Sequence, residues 1–219
     1  MMFVSAAQSD VIGSDKPVTV TVGDNAILPC HLEPPSNVRS LTVEWKRDGT
    51  FVHVSRHGKD YLDDQDKNFR GRTSVFHEEM IFGNISLKLT NVTELDAGSY
   101  TCFVPGLQSQ VKRGFINLTV GVVSSPVISV MNRTSSSVVL QCESKGWYPE
   151  PEVVWLDGEG NLLSAGPTET VRGPDDLYTV SSRVTVEKRH SNNFTCRVQQ
   201  KDINQTRETH IYVPGYKEL

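Results

Sequence analysis

One arrangement of cysteine and tryptophan is written twice along this chain. Cys30 is followed by Trp45 and closed by Cys102; Cys142 is followed by Trp155 and closed by Cys196. Paired cysteines persist in oxidising compartments, which puts the chain outside the cytosol. No CxxC and no Cys/His cluster at zinc spacing competes with a structural use of these thiols. A pattern used twice in 219 residues also divides the chain into two domains of about 100 residues, each able to bury a core but small enough to gain from a staple.

Around the cysteines the apolar residues alternate in short runs between turn residues, the two-residue period of half-buried strands. Val18, Val20 and Val22 open the first domain, and Asn25 to Cys30 make the strand that carries the first cysteine. Leu41, Val43 and Trp45 share one face of the next strand, which turns Thr42, Glu44 and Lys46 outward. Arg47-Asp48-Gly49 is a hairpin turn, a further strand runs from Phe51 to Ser55, and Ile85, Leu87 and Leu89 line the core again. In an all-β chain, Cys…Trp…Cys is the signature of the immunoglobulin sandwich, so the chain reads as two such sandwiches in tandem. On that signature Cys30 pairs with Cys102 and Cys142 with Cys196, each bridge joining opposed sheets beside Trp45 or Trp155. Closing loops this long contributes roughly 4 kcal/mol per bridge on the chain-entropy account.

Asp96-Ala-Gly-Ser-Tyr100-Thr-Cys102 is the most specific string. Tyr100, two residues before the cysteine, is placed for a tyrosine corner, its hydroxyl returning to nearby backbone. Asp96 needs an arginine partner, which Phe69-Arg-Gly-Arg72 supplies; Arg72 and Asp96 read as a structural salt bridge. The first cysteine pair encloses the longer stretch, and the extra length from Phe51 to Lys67 is where a variable-type domain adds edge strands. The second pair is shorter, and Phe194 stands where the tyrosine would be, so the second domain reads as constant-type. The expected order is a lead-in over 1–14, a variable-type domain over 15–121, a linker over 122–125, a constant-type domain over 126–214 and a tail over 215–219. The linker is too short and too apolar for a loose tether, and reads as a hinge of restricted range.

Composition excludes more than it assigns. A net charge of −4 with no basic stripe along the sequence argues against a nucleic-acid binder. The acidic run from Asp60 to Asp66 lacks the spacing of a calcium loop and reads as a solvated loop. His77-Glu-Glu-Met-Ile81 begins like a zinc-protease motif, but Ile81 stands where the second histidine is required, so this too reads as a solvated loop. Gly158-Glu-Gly160 has neither the third glycine nor the helix of a phosphate cradle, and no Gly-x-Ser-x-Gly elbow occurs. No enzyme, metal or cofactor is expected. There is no apolar run of about 20 residues to span a membrane. Met1 to Ala7 resemble the end of a signal peptide, and the stop just after a final strand near Tyr212 reads as an ectodomain separated from any anchor. Six Asn-x-Ser/Thr sequons, at Asn84, Asn91, Asn117, Asn132, Asn193 and Asn204, support an extracellular setting.

Tyr100-Thr-Cys-Phe-Val104 and Cys142-Glu-Ser-Lys-Gly-Trp-Tyr-Pro-Glu-Pro151 resemble a butyrophilin ectodomain, as do Asp10-Val-Ile-Gly13 and Phe69-Arg-Gly-Arg-Thr73. The wider family includes myelin oligodendrocyte glycoprotein and the costimulatory ligands of T lymphocytes. The resemblance covers nearly the whole chain. It implies a single-pass type I membrane protein at the cell surface, its variable domain outermost, regulating T-cell responses through a protein receptor on another cell or in cis. Many butyrophilins also carry an intracellular SPRY-type domain, which this sequence does not include.

The outward residues of the first domain are the candidate site. Tyr100, Cys102 and Val104 point inward, which leaves Thr101 and Phe103 outside; Ile116, Leu118 and Val120 do the same for Phe115, Asn117 and Thr119. Phe103 and Phe115 are therefore expected on one exposed sheet near Glu44, Lys46 and His53, either as interface anchors with a charged rim or as a cross-strand aromatic pair that stabilises the sheet or covers a dimer partner. The resemblance, through the family's habit of binding by this face, favours the first. A glycan on Asn117 would push contacts toward the tip, and one on Asn193 would obstruct the corresponding sheet of the second domain. The expected mechanism is non-covalent receptor binding by this sheet, with the second domain as spacer and possible homodimer surface. Homophilic adhesion, as the likeness to myelin oligodendrocyte glycoprotein allows, is the alternative, and a soluble decoy a further one.

Overall fold

The fold is described from a computed structural model, for residues 8–187 and 192–213. The expectations for the extreme N-terminus (1–7) and for the tail (215–219) lie outside these residues. The chain divides into two compact units, Met1–Val120 and Gly121–Leu219.

The first unit runs β1 (Asp10–Ile12), β2 (Val18–Thr21), β3 (Ala26–Leu28), β4 (His31–Glu33), β5 (Thr42–Arg47) and β6 (Thr50–Arg56). It continues through β7 (Lys59–Asp60), β8 (Thr73–Val75), β9 (Leu87–Leu89), β10 (Gly98–Phe103) and β11 (Arg113–Gly121). Six strands form one sheet in the order β2-β11-β10-β5-β6-β7; β3-β9-β8 form the facing sheet, and β1 pairs with β4. The β5–β6 hairpin turns at Asp48 (φ 49°) and Gly49 (φ 80°), two successive left-handed residues whose twist matches the flanking strands. β6 and β7 lie in the stretch set aside for added edge strands.

Between the sheets, Trp45, Leu28, Leu87, Leu89 and Tyr100 are all fully buried. The Cys30–Cys102 disulfide joins β10 to the chain just after β3, and the Trp45 indole donates to the Ile85 carbonyl at 2.9 Å. Strand β3 stops short of Cys30 because Pro29 has no N–H to give a ladder. At the far end of the core, the Tyr100 hydroxyl donates to the Asp96 carbonyl at 2.7 Å. Arg72 grips the Asp96 carboxylate with two donors, at 2.7 and 2.8 Å, while the Thr93 N–H adds a third at 2.8 Å. Burial works to raise the Asp96 carboxyl, but the Arg72 and Thr93 donors outweigh it and hold it below the ordinary carboxylate range.

The second unit comprises β12 (Val127–Arg133), β13 (Ser137–Trp147), β14 (Glu152–Leu156), β15 (Leu162–Leu163), β16 (Glu169–Arg172), β17 (Tyr178–Glu187), β18 (Asn193–Gln200) and β19 (Gln205–Tyr212). Its two four-stranded sheets run β12-β13-β17-β16 and β15-β14-β18-β19. Cys142 on β13 and Cys196 on β18 tie them together, with Trp155 buried beside the bridge. Phe194 is buried and, lacking a hydroxyl, makes no corner bond. Trp147, from the Gly-Trp-Tyr-Pro string, is a second fully buried indole, its N–H donated to Ser144 Oγ at 2.8 Å.

Candidate functional site

The outer face of the six-stranded sheet is built by strand alternation. Register sets Phe103 beside Glu44 on one side and Arg113 on the other, and Thr101 beside Lys46 and Phe115. The inward partners in the same strands are Tyr100, Cys102 and Trp45, none of them exposed, so the two faces are fully separated. Phe115 is 62% exposed, and Phe103 is half-buried between two cations. The Arg113 guanidinium lies 4.6 Å from the Phe103 ring centre, and the Lys46 ammonium 5.8 Å from its other neighbour side. Lys46 also sits 4.5 Å over the Phe51 ring and pairs with Glu44 at 2.7 Å. Further out, Arg56 stacks on Tyr61 at 3.9 Å, and Lys59 is its partner in the ladder.

His53 requires a correction. A plain count back from the turn would set it opposite Glu44 on the outer face. Instead β6 carries an extra residue, Val52, opposite the Trp45–Lys46 step, so that His53 pairs with Trp45 and Phe51 with Lys46. One inserted residue reverses which side faces in. His53 is consequently fully buried, its ring nitrogens at 2.9 Å from Thr73 Oγ1 and 3.1 Å from Asp60 Oδ1. Burial pushes its pKa down, against the pull of Asp60. Phe51, on the turn side of the inserted residue, keeps the outer position that alternation gives it.

The neighbouring acidic run is more than a solvated loop. Asp60 Oδ1 also meets His77 Nε2 at 2.7 Å, and Gln65 is buried, donating to the Val52 carbonyl at 2.9 Å and Thr73 Oγ1 at 2.8 Å. His77–Phe82 forms a 3-10 helix that buries Met80, where a loop was expected. Among the described residues no cluster of His, Cys, Asp and Glu is arranged to hold a metal.

Asn117 lies on the same outer face as Phe115, exposed, its Oδ1 accepting from Ser99 Oγ at 2.6 Å. Asn91, Asn132, Asn193 and Asn204 are exposed; Asn193 sits opposite Tyr212 on β18–β19. Asn84 is half-buried, with its amide donated to Glu79. Arg113, Arg56 and Phe51 escaped the sequence reading. Arg113 and Phe51 had a signal: each is two residues from a position expected outward on its strand, Phe115 for one and His53 for the other.

Two family models cover this arrangement: residues 13–121 match the immunoglobulin V-set domain, and residues 122–208 match the Ig-C domain described as butyrophilin subfamily 3 member A2-like. Butyrophilin subfamily 2 member A2 of Homo sapiens is 30% identical over 211 residues, 95% of this chain and 40% of that protein. V-set domain-containing T-cell activation inhibitor 1 of Homo sapiens is 34% identical over 185 residues, 81% of this chain and 64% of that protein. The crystal structure of bovine butyrophilin matches with a TM-score of 0.71 and 27% identity, over 95% of this chain and 100% of that one. The chain spans about 40% of the length of the butyrophilins it matches. Among the described residues no helix is long and apolar enough to cross a membrane.

Proposed function

The chain belongs to the butyrophilin family of the immunoglobulin superfamily, and from that premise we propose that it is the extracellular recognition region of a cell-surface protein regulating T-cell responses. It is a binding module and not an enzyme. The reading extends to a single-pass type I protein, with the first unit engaging a protein receptor non-covalently and the second serving as spacer.

One observation carries the binding assignment. Phe115 stands 62% exposed beside Phe103 and its flanking cations, an aromatic anchor in a polar surround, which is the make-up of an interface centre. The relative named as a T-cell activation inhibitor supports the cellular context. Affinity of one copy for its receptor is expected to be modest, with surface density supplying avidity.

Homophilic adhesion is the second reading. The outer face carries more cations than carboxylates, so two copies apposed through it repel, and a homophilic contact has to use another surface. The test is staining of a leukocyte panel with tetramers of this chain, alongside cells transfected with the protein itself. Staining of T cells that is lost with Phe103→Ala or Phe115→Ala, while both variants keep their melting transitions, supports the proposal. Staining of the transfected cells alone favours adhesion, and retention of T-cell staining by both variants removes the face from the mechanism.

A further inference from the structure

The outer face of the first unit segregates charge against the trend of the whole molecule. The chain has a net charge of −4. On this face, however, Lys46, Arg56, Lys59 and Arg113 stand against Glu44 alone, four cations to one carboxylate. Only Lys46 is neutralised, by Glu44 at 2.7 Å; among the described residues Arg56, Lys59 and Arg113 have no carboxylate partner.

The cations are also held in place. Arg113, Phe103, Lys46 and Phe51 alternate cation and ring across four strands, with separations of 4.6, 5.8 and 4.5 Å. Arg56 on Tyr61 repeats the motif at 3.9 Å. A guanidinium stacked on a ring keeps the edge that carries its N–H donors open. Its ordering is met by the fold, so less side-chain entropy is lost on binding.

Resting on the receptor-binding reading above, we infer that the surface recognised by this face is an acidic protein surface, one presenting carboxylates to Arg113, beside an apolar recess that receives Phe115, and to Arg56 toward the opposite edge of the sheet. A planar guanidinium matches a carboxylate bidentately. A sulfated or sialylated glycan would also offer anions, but the cations here are interleaved with rings instead of packed as a continuous basic strip.

The experiment uses cells that the wild-type tetramer stains. Arg113→Glu and Arg56→Glu are each expected to weaken staining roughly tenfold or more, as reversal of a close interfacial charge does. Lys88→Glu, on β9 of the facing sheet, is expected to leave it unchanged. Staining should fall between 50 and 300 mM salt, survive heparinase and sialidase treatment of the cells, and disappear after mild trypsin treatment. Wild-type-like staining by both reversals, or no response to salt, overturns the inference while leaving receptor binding in place. Loss after heparinase or sialidase overturns it in favour of an anionic glycan. Failure of the wild-type chain to stain any cell removes the receptor-binding reading and this inference with it.

Discussion

Asp96→Asn tests the anchor at the base of the first unit with the least change of shape. The Asp96 side chain is 3% exposed and that of Arg72 is 19% exposed. Asparagine fills the same space but removes the charge and sets an NH2 group against the Arg72 donors, 2.7 and 2.8 Å away in the native pair. Arg72 keeps carbonyl acceptors, Asn68 at 2.7 Å and Asn91 at 3.2 Å, so most of its hydrogen bonds survive while its countercharge does not. Removing one member of a buried pair costs about 3–5 kcal/mol; the part-exposed guanidinium places this case near 3. At about 2.1 cal/mol/K of unfolding entropy per residue, that cost lowers the melting temperature of a unit of roughly 110 residues by about 13 °C.

The same pair sets a pH signature. Because the folded Asp96 carboxyl is held below its ordinary value, its contribution is complete above the unfolded value near pH 4 and is lost as pH falls through the lower folded one. The gap between wild type and variant should be full at pH 7 and narrow below pH 4. Calorimetry of the oxidised chain at pH 7 and pH 3 reads both. A drop under about 4 °C at pH 7, or a gap that does not narrow in acid, refutes the argument.

Tyr100→Phe deletes only the hydroxyl bonded to the Asp96 carbonyl at 2.7 Å and should cost about 1–2 kcal/mol in urea unfolding, most of it for the carbonyl left unpaired. For His53 the sign runs the other way from a salt-bridged histidine: burial lowers its folded pKa, so stability is complete above the unfolded value near 6.5 and declines as pH falls toward the folded one. Wild type should therefore lose urea resistance between pH 7 and pH 5, and His53→Gln should lose less; equal slopes would show that the folded imidazole takes up its proton as readily as the unfolded one. Gly114→Ala places a methyl 2.6 Å from the Gly13 nitrogen and 2.9 Å from Cys102 Sγ, forcing the segment before β2 away from β11, with a cost of about 1–3 kcal/mol by thermal melting.

What the sequence made legible were features with a fixed spacing. The Cys-to-Trp-to-Cys order, the Tyr100 hydroxyl and the alternation of Phe103, Phe115, Glu44 and Lys46 all follow from a period of two, which holds as long as a strand runs regularly. His53 was misplaced because the inserted residue is Val52, which is as strand-compatible as its neighbours and leaves no mark of a bulge. Gln65 and His77 were missed for a different reason. Each meets its partners across a loop, Gln65 on Thr73 and Val52 and His77 on Asp60, and no periodicity relates such residues. The cations were visible as letters, but their gathering on one face depends on pairing between β6, β5, β10 and β11, a long-range fact.

That gathering bears on how the sheet can serve two purposes at once. The inner face of β10 and β11 carries Tyr100, Cys102, Ile116 and Leu118, each at most 3% exposed, and a change there is a change in stability. The outer face carries Thr101, Phe103, Arg113 and Phe115, which are half-buried or exposed, with Arg113 lying over the Phe103 ring. Truncating an exposed Phe115 leaves no cavity, so its cost to folding is small compared with the several kcal/mol of a core aromatic. Alternation thus lets neighbouring residues in one strand answer to different demands, and substitutions on the outer face can alter which carboxylates are recognised without moving the scaffold. The bulge at Val52 fits the same logic. It turns His53 inward to Thr73 and Asp60, while Phe51, on the turn side of the inserted residue, keeps its place over Lys46 and carries the row of rings and cations onto β6. A variant with Val52 deleted should close the bulge and leave His53 opposite Trp45 and Phe51 opposite Lys46, so that the row persists.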